Sequence, residues 1–189
     1  MDAQDARQFS QENLPPETTT MTLKEFLESD LEGYEYIKGE LIPMPPTSVE
    51  HGYISANLSS LLHLYVRENQ LGRVLISDTG FRVGERVLIP DIAFVSNARM
   101  PDDLSKASPA PPDLAVEVVS PTDSSHRVEE KAFIYLEAGT QLVWVLMPRS
   151  KTVTIYRSET DITLLTRNDT LTGENVVEGF SCQVAELFE

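Results

Sequence analysis

The apolar residues of the longest predicted helix recur every three or four positions, so they lie on one face. The helix is predicted to begin at Thr47, which forms a capping box with Glu50, and to end near Gly72. Its apolar positions are Ile54, Leu58, Leu61, Leu62 and Tyr65. His51 lies on the same face, one turn before Ile54.

Two further helices and eight strands are predicted from the remaining pattern. Thr22 caps a short helix over 23–27, and a second helix over about 125–138 ends at Gly139. The turn at Lys38 and Gly39 joins the first two strands into an N-terminal hairpin. The strands are predicted over 34–37, 40–44, 74–77, 80–83, 87–95, 114–119, 142–147 and 152–156. This order predicts an α/β (α+β) fold rather than a helical bundle or a β-sandwich.

The chain of 189 residues is 41% hydrophobic, which is enough for one domain with a sizeable core. We expect this domain over 21–189, preceded by a disordered, polar arm over 1–20. The only cysteine, Cys182, cannot form an intramolecular disulfide, and no apolar run is long enough to cross a bilayer. A cytoplasmic protein without membrane contact is expected.

The formal net charge of −15 argues against a broad basic surface that would bind nucleic acid without specificity. A nucleic-acid groove would therefore be local and assisted by a divalent metal ion.

Two carboxylates occupy positions where a buried charge is costly. Glu117 interrupts the apolar run 114–119, and Asp91 follows Pro90 at the start of the apolar residues 92–95. At the same depth on neighbouring strands, their oxygens would suit a hard cation such as Mg²⁺. The sequence alone leaves a structural explanation equally open, in which Asp91 only starts a strand and Glu117 pairs with an arginine.

Lys131 lies on the apolar stripe of the 125–138 helix, three residues after Val128 and four before Tyr135. Its stem could cover apolar surface while its ammonium reaches water, which is the more frequent outcome for one lysine. Alternatively, its charge could stabilise the transition state of a phosphoryl reaction.

The roles of His51 and Glu40 are open in the same way. His51 could be a histidine at the edge of the core that binds a carbonyl, or a catalytic residue. Glu40 could be a solvated strand end, or a further ligand for a metal ion or its water.

Several short motifs, in their order and spacing, resemble the Uma2 family of restriction-endonuclease-like proteins. The resemblance covers nearly all of the chain after the N-terminal arm. The motifs are Gly39-Glu40-Leu41-Ile42-Pro43-Met44-Pro45-Pro46, His51, Pro90-Asp91-Ile92-Ala93-Phe94-Val95, Glu117-Val118-Val119-Ser120-Pro121, Glu130-Lys131, Tyr135, Ala138-Gly139 and Val143-Trp144-Val145.

This resemblance implies a restriction-endonuclease-like core of the PD-(D/E)XK superfamily, with a mixed central β-sheet flanked by helices. It implies Asp91 and Glu117 as ligands of Mg²⁺, for which Mn²⁺ could substitute, with the Val118 carbonyl as a third ligand. The superfamily pattern has a lysine where this chain has Val119, so the resemblance makes Lys131 the displaced catalytic lysine. Glu40 and His51 match a further acid and a recurrent histidine.

The predicted function is Mg²⁺-dependent endonucleolytic hydrolysis of nucleic acid, with DNA as the substrate that the resemblance implies. One alternative is a non-catalytic module that retains the fold and binds nucleic acid or protein as a homodimer. The valine at position 119 and the net acidity favour this alternative. A metal-dependent hydrolase of a smaller phosphoester is a third interpretation.

Overall fold

The computed structural model describes residues 21–29, 31–120 and 125–189, so the predicted arm over 1–20 lies outside the described residues. The helices are α1 (Leu23–Glu28), α2 (Val49–Glu68), α3 (Ser125–Glu137) and α4 (Val184–Leu187). The strands are β1 (Tyr34–Ile37), β2 (Glu40–Pro43), β3 (Gly72–Ile76), β4 (Phe81–Val83), β5 (Arg86–Leu88), β6 (Ile92–Ser96), β7 (Leu114–Val118), β8 (Leu142–Met147), β9 (Thr152–Tyr156), β10 (Ile162–Leu165), β11 (Thr170–Thr172) and β12 (Ser181–Gln183).

A six-stranded sheet in the order β10-β9-β8-β7-β6-β3 forms the centre of the fold. Its neighbouring strands are antiparallel except for β7 and β8, which pair in parallel. Two parallel neighbours need a crossover connection, and α3 lies in the segment between them. The sheet is therefore mixed and flanked by helices, which confirms the predicted fold class.

The two faces of this sheet carry separate apolar cores. On one face, Ile54, Leu58 and Leu62 of α2 pack against a cluster that includes Trp144 and Phe180. Trp144 is fully buried, and its ring stacks on Phe180 with the centroids 6.1 Å apart. On the other face, residues of α3 pack over the alternate positions of the same strands. Asp91 and Glu117 lie at the edge of this second core.

A smaller four-stranded sheet in the order β2-β1-β5-β4 contains the predicted N-terminal hairpin. Tyr36 and Val87 point from one of its faces into a small cluster that includes Phe26 of α1. Since side chains alternate along a strand, Glu35, Ile37 and Arg86 point from the opposite face.

The predicted strand over 87–95 is wrong as one element, because the chain changes sheets within it. Residues up to Leu88 form β5 of the small sheet, and residues from Ile92 form β6 of the large sheet. Pro90 lies between them and has no N–H to donate to a ladder, so the pairing ends there. Asp91 consequently lies where the two sheets meet.

The N-cap of α2 is Ser48 rather than Thr47, so the predicted capping box of Thr47 and Glu50 is wrong. The Ser48 side chain accepts a hydrogen bond from the backbone N–H of His51, and the helix begins at Val49. None of the described helices combines the length and the apolar character that crossing a bilayer requires.

Candidate active site

Asp91 and Glu117 are neighbours across the β6–β7 pair. Ile92 lies opposite Val116 in this antiparallel ladder, so the next position outward places Asp91 opposite Glu117. Both side chains line one cavity of about 1010 Å³. The two carboxylates thus lie on the α3 side of the sheet, as a shared site requires.

The Glu117 carboxylate is held by two side chains of α3. Lys131 Nζ lies 2.9 Å from Glu117 Oε1 and 3.1 Å from Oε2. Tyr135, which is fully buried, donates its hydroxyl hydrogen to Oε1 over 3.1 Å. Lys131 and Tyr135 are four residues apart and therefore share one helix face, so α3 presents both groups to the same carboxylate. Lys131 therefore points inward. The cation that pairs with Glu117 is this lysine and not the arginine that the sequence analysis considered.

Glu35 of β1 is a site residue that the sequence analysis missed. Its Oε1 lies 2.9 Å from Lys131 Nζ and accepts the backbone N–H of Ile89 over 2.9 Å. Glu40, the predicted acid of this hairpin, is exposed and does not line the cavity. The alternation of β1 offered a signal, because Glu35 and Ile37 share the face opposite the buried Tyr36.

The burial of this cluster changes the acidity of its members. Burial raises the pKa of Glu117 to about 8; Lys131 acts against this rise, and the Asp91 and Glu35 carboxylates add to it. Burial acts to lower the pKa of Lys131, but the two adjacent carboxylates outweigh it and raise the value. Burial and the charge of Glu117 also raise the pKa of Tyr135. Lys131 and Tyr135 therefore remain protonated at neutral pH and act as hydrogen-bond donors.

Asp91 is oriented by two donors from different elements. Its Oδ2 accepts the backbone N–H of Val118 over 2.7 Å and lies 3.0 Å from His51 Nε2. His51 is buried in the first turn of α2, where its Nε2 contacts the Asp91 carboxylate. The backbone N–H of Val118 is therefore committed to Asp91, and a role for the Val118 carbonyl stays a prediction.

The cavity lies between the small sheet, α3 and the ends of β6 and β7. Four acids line it, namely Glu35, Asp91, Glu117 and Glu130. Four bases also line it, namely Lys38, Arg86, Arg127 and Lys131. Acids outnumber bases 30 to 15 in the whole chain, so this cavity is locally enriched in positive charge.

Comparisons with known proteins identify the family of this chain. Residues 21–185 match the model of the Uma2 family, which is described as "Putative restriction endonuclease". The chain belongs to the Uma2 family. This membership confirms the resemblance found in the sequence, and the matched region contains every candidate site residue.

A solved structure shares the Uma2 fold of this chain. It is the crystal structure of a "putative nuclease belonging to DUF820" from Anabaena variabilis, which superposes with a TM-score of 0.77 at 23% identity. The match covers 89% of this chain and 97% of that chain. A second relative, an uncharacterized protein of Synechocystis sp., is 28% identical over 123 residues, which are 62% of this chain and 69% of the relative.

The donor set of this Uma2 site fits a hard divalent cation. Among the described residues, no group of three or more His, Cys, Asp and Glu side chains is arranged to hold a metal ion. Mg²⁺, however, is commonly held by one or two carboxylates, with water and substrate phosphate as its other ligands. Asp91 and Glu117 supply such a pair at the cavity wall. Burial is the main cause of the raised pKa of Glu117 and the charge of Asp91 adds to it, so a cation beside both carboxylates would favour their ionised forms.

Proposed function

We propose that this Uma2 protein is a Mg²⁺-dependent endonuclease that hydrolyses phosphodiester bonds of nucleic acid, with DNA as its substrate. The observation that carries the proposal is the inward-facing Lys131, whose ammonium contacts Glu117 beside Asp91 in one cavity. The description of the family and the nuclease-like fold support the same activity.

Asp91 and Glu117 would hold the metal ion, which would supply Lewis-acid polarisation of the scissile phosphate. Lys131 keeps a positive charge at the same wall, where it would stabilise the negative charge that develops on the phosphate during displacement. Glu35 also contacts this ammonium and helps to fix its position. The lysine of α3 thus performs the task for which the superfamily pattern has a lysine at the position of Val119.

The remaining polar groups keep the two proposed ligands in place. His51 and the Val118 N–H hold Asp91, and Tyr135 holds Glu117. Preorganised ligands of this kind lower the reorganisation that the reaction requires. We therefore assign His51 and Tyr135 positioning roles and place Glu35, rather than Glu40, beside the catalytic lysine.

A cleavage assay tests the proposal. Plasmid, single-stranded DNA and RNA are incubated with Mg²⁺ or Mn²⁺ and with wild type, Glu117→Ala, Asp91→Asn or Lys131→Met. Each variant should lose roughly 100-fold or more in rate, since each removes a charge that acts on the reacting phosphate. Glu129→Ala, an exposed acid on the same helix, should cleave like wild type.

Two results would contradict the proposal. Full activity of Glu117→Ala would remove this residue from the chemistry. A folded wild type that binds nucleic acid but cleaves none of the substrates with either metal would support the non-catalytic module instead.

A further inference from the structure

Arg86 lies on the wall of the cavity that the small sheet provides. It is the first residue of β5 and pairs with Ile37 of β1, and both residues line the cavity. Within the described part of the chain, its Nε is buried without a hydrogen-bond partner, and the guanidinium makes no salt bridge. The backbone of β5 is paired on both sides, so the base of this side chain is held firmly.

A buried N–H group without an acceptor is unfavourable, and such a group in a folded protein requires an explanation, of which a bound water, ion or ligand is one. The partner of a guanidinium is most often a carboxylate or a phosphate, which it can bind through two parallel hydrogen bonds. Three of the four acids of the cavity are engaged elsewhere, since Glu35 and Glu117 contact Lys131 and Asp91 contacts His51. The fourth, Glu130, forms no salt bridge with Arg86 among the described residues. Because Nε is buried, an external phosphate would bind the terminal nitrogens of the Arg86 guanidinium.

A second cation lies next to Arg86 on the same sheet. Lys38 follows Ile37, the residue paired with Arg86, and its exposed side chain lines the cavity. Among the described residues, no acid forms a salt bridge with Lys38. Arg82 of β4 lies on the other face of the small sheet. It pairs with Val87 of β5, whose side chain points into the cluster around Phe26. The Arg82 guanidinium contacts Glu85, and neither residue lines the cavity.

We propose that Arg86 and Lys38 bind a backbone phosphate of the nucleic acid other than the one that is cut. The substrate strand then crosses the cavity from the small sheet to Asp91 and Glu117. This inference rests on the proposed function, because it assigns the substrate phosphate that the same cavity binds. It also explains how a chain of net charge −15 binds a polyanion, since the binding cations are concentrated at the reaction site.

Binding of a fluorescein-labelled single-stranded oligodeoxynucleotide tests this site without cleavage. Fluorescence anisotropy is measured over a series of salt concentrations, in EDTA and again with Ca²⁺. Arg86→Gln should bind about tenfold more weakly, and its log–log salt dependence should be shallower by about 0.7, the value of one phosphate contact on a single strand. Arg86→Lys should keep the salt dependence of wild type, because it keeps the charge.

Arg82→Gln is the matched control, since it removes the same charge from the same sheet on the other face, and it should bind like wild type. Lys38 lies in an exposed turn, so Lys38→Gln tests the site even if Arg86→Gln does not fold. Lys38→Gln should also reduce the salt dependence of oligonucleotide binding. Equal effects of Arg86→Gln and Arg82→Gln, unchanged binding in both Arg86→Gln and Lys38→Gln, or no binding by wild type would overturn the inference.

The cleavage assay separates the two proposals. If Arg86→Gln cleaves at the wild-type rate, with the KM and salt dependence of wild type, the proposed nuclease activity is supported and the phosphate site is wrong. If oligonucleotide binding depends on Arg86 but no metal supports cleavage, the proposed nuclease activity is wrong and the phosphate site is supported.

Discussion

Glu117 shows how one carboxylate can be accommodated inside an apolar strand. Its neighbours Val116 and Val118 point into the core on the α2 side, and Glu117 points towards α3. There it meets one ammonium and one hydroxyl, so each oxygen of the carboxylate has a donor. The contacts do not fully compensate for burial, as the pKa of about 8 indicates.

The stability of the metal-free protein should therefore depend on pH through Glu117. Because the folded pKa of about 8 exceeds the ordinary value of 4.5, the folded state holds an extra proton between these values. This proton stabilises the folded state fully below pH 4.5. The stabilisation is lost as the pH rises from 4.5 towards about 8, by up to about 1.4 kcal/mol per pH unit. Lys131 contributes no slope in this window, because its raised pKa lies above it.

Glu117→Gln should remove this dependence. In EDTA, its melting temperature should equal or exceed that of wild type near neutral pH, and the difference should widen as the buffer becomes more alkaline. Thermal denaturation over a pH series checks this, with Glu129→Gln as the exposed control. A clear fall in melting temperature at every pH would show that the charged Glu117–Lys131 pair is a net source of stability.

Single residues were predictable where the chemistry of burial singled them out. Asp91, Glu117 and Lys131 are charges in apolar patterns, and the structure brings all three to one cavity. Glu40 and Glu35 lie in the same hairpin, and the sequence did not show which face of that hairpin would cover the large sheet. This choice depends on packing between distant segments, so local pattern could not make it.

Helix α3 joins the two sheets through one side chain. Lys131 Nζ lies 2.9 Å from Glu35 in the small sheet and 2.9 Å from Glu117 in the large sheet. The side chains of these three residues are 22%, 12% and 12% exposed, respectively, so the charges are largely shielded from water. The relative position of the sheets consequently depends on a buried ion triad.

Above pH 8, where Glu117 is ionised, Lys131→Met should destabilise the protein by about 3 kcal/mol, because it leaves two buried carboxylates without their cation. Urea denaturation measures the change. Adding Glu117→Gln should restore part of the loss, since it neutralises one of these carboxylates.

Lys24→Met provides the comparison in an exposed pair. Lys24 lies 3.9 Å from Glu28, with the side chains 81% and 61% exposed, so its loss should change stability by less than about 0.5 kcal/mol. Equal effects of the two lysine substitutions would contradict the role of the triad.

Elements with a strong local pattern were predicted, and elements defined by pairing were not. The strand bounds of β1, β8 and β9 agree with the prediction. The strands β10, β11 and β12 were missed because they are short, and two of them pair only with each other. The division at Pro90 depends on which sheet each half joins, and a window of neighbouring residues does not contain this information.

Two glycines should respond to alanine in opposite directions. A Cβ on Gly72 of β3 would collide with the backbone oxygen of Val95 and lie 2.8 Å from the Cα of Ser96, so Gly72→Ala should force β3 and β6 apart. Gly52 lies in α2 with open space around it, and alanine should stabilise this helix by about 1 kcal/mol. Urea denaturation of both variants checks the prediction, and a neutral Gly72→Ala would contradict this packing.

The molecule as a whole carries a charge of −15, whereas four acids and four bases line the cavity. A divalent cation bound between Asp91 and Glu117 would offset local repulsion as well as serve the reaction. Because a ligand that binds only the folded state stabilises it, metal binding should be measurable without any substrate.

Mg²⁺ should raise the melting temperature of wild type at constant ionic strength. At a concentration of a hundred times Kd the gain is about 2.7 kcal/mol, and each kcal/mol corresponds to about 2–4 °C for a chain of this size. EDTA should reverse the shift, and Asp91→Asn should abolish it. A shift of the same size in Asp91→Asn would place the bound ion elsewhere.

The only tryptophan of the chain lies in the strand next to Glu117, in β8. Trp144 is fully buried against Phe180, on the opposite side of the sheet from the site. Its fluorescence is therefore an intrinsic optical probe of the large sheet. Unfolding followed by tryptophan emission reports this sheet alone, whereas circular dichroism reports both. Coincident transitions would show that the small sheet, and with it one wall of the cavity, unfolds only when the large sheet unfolds.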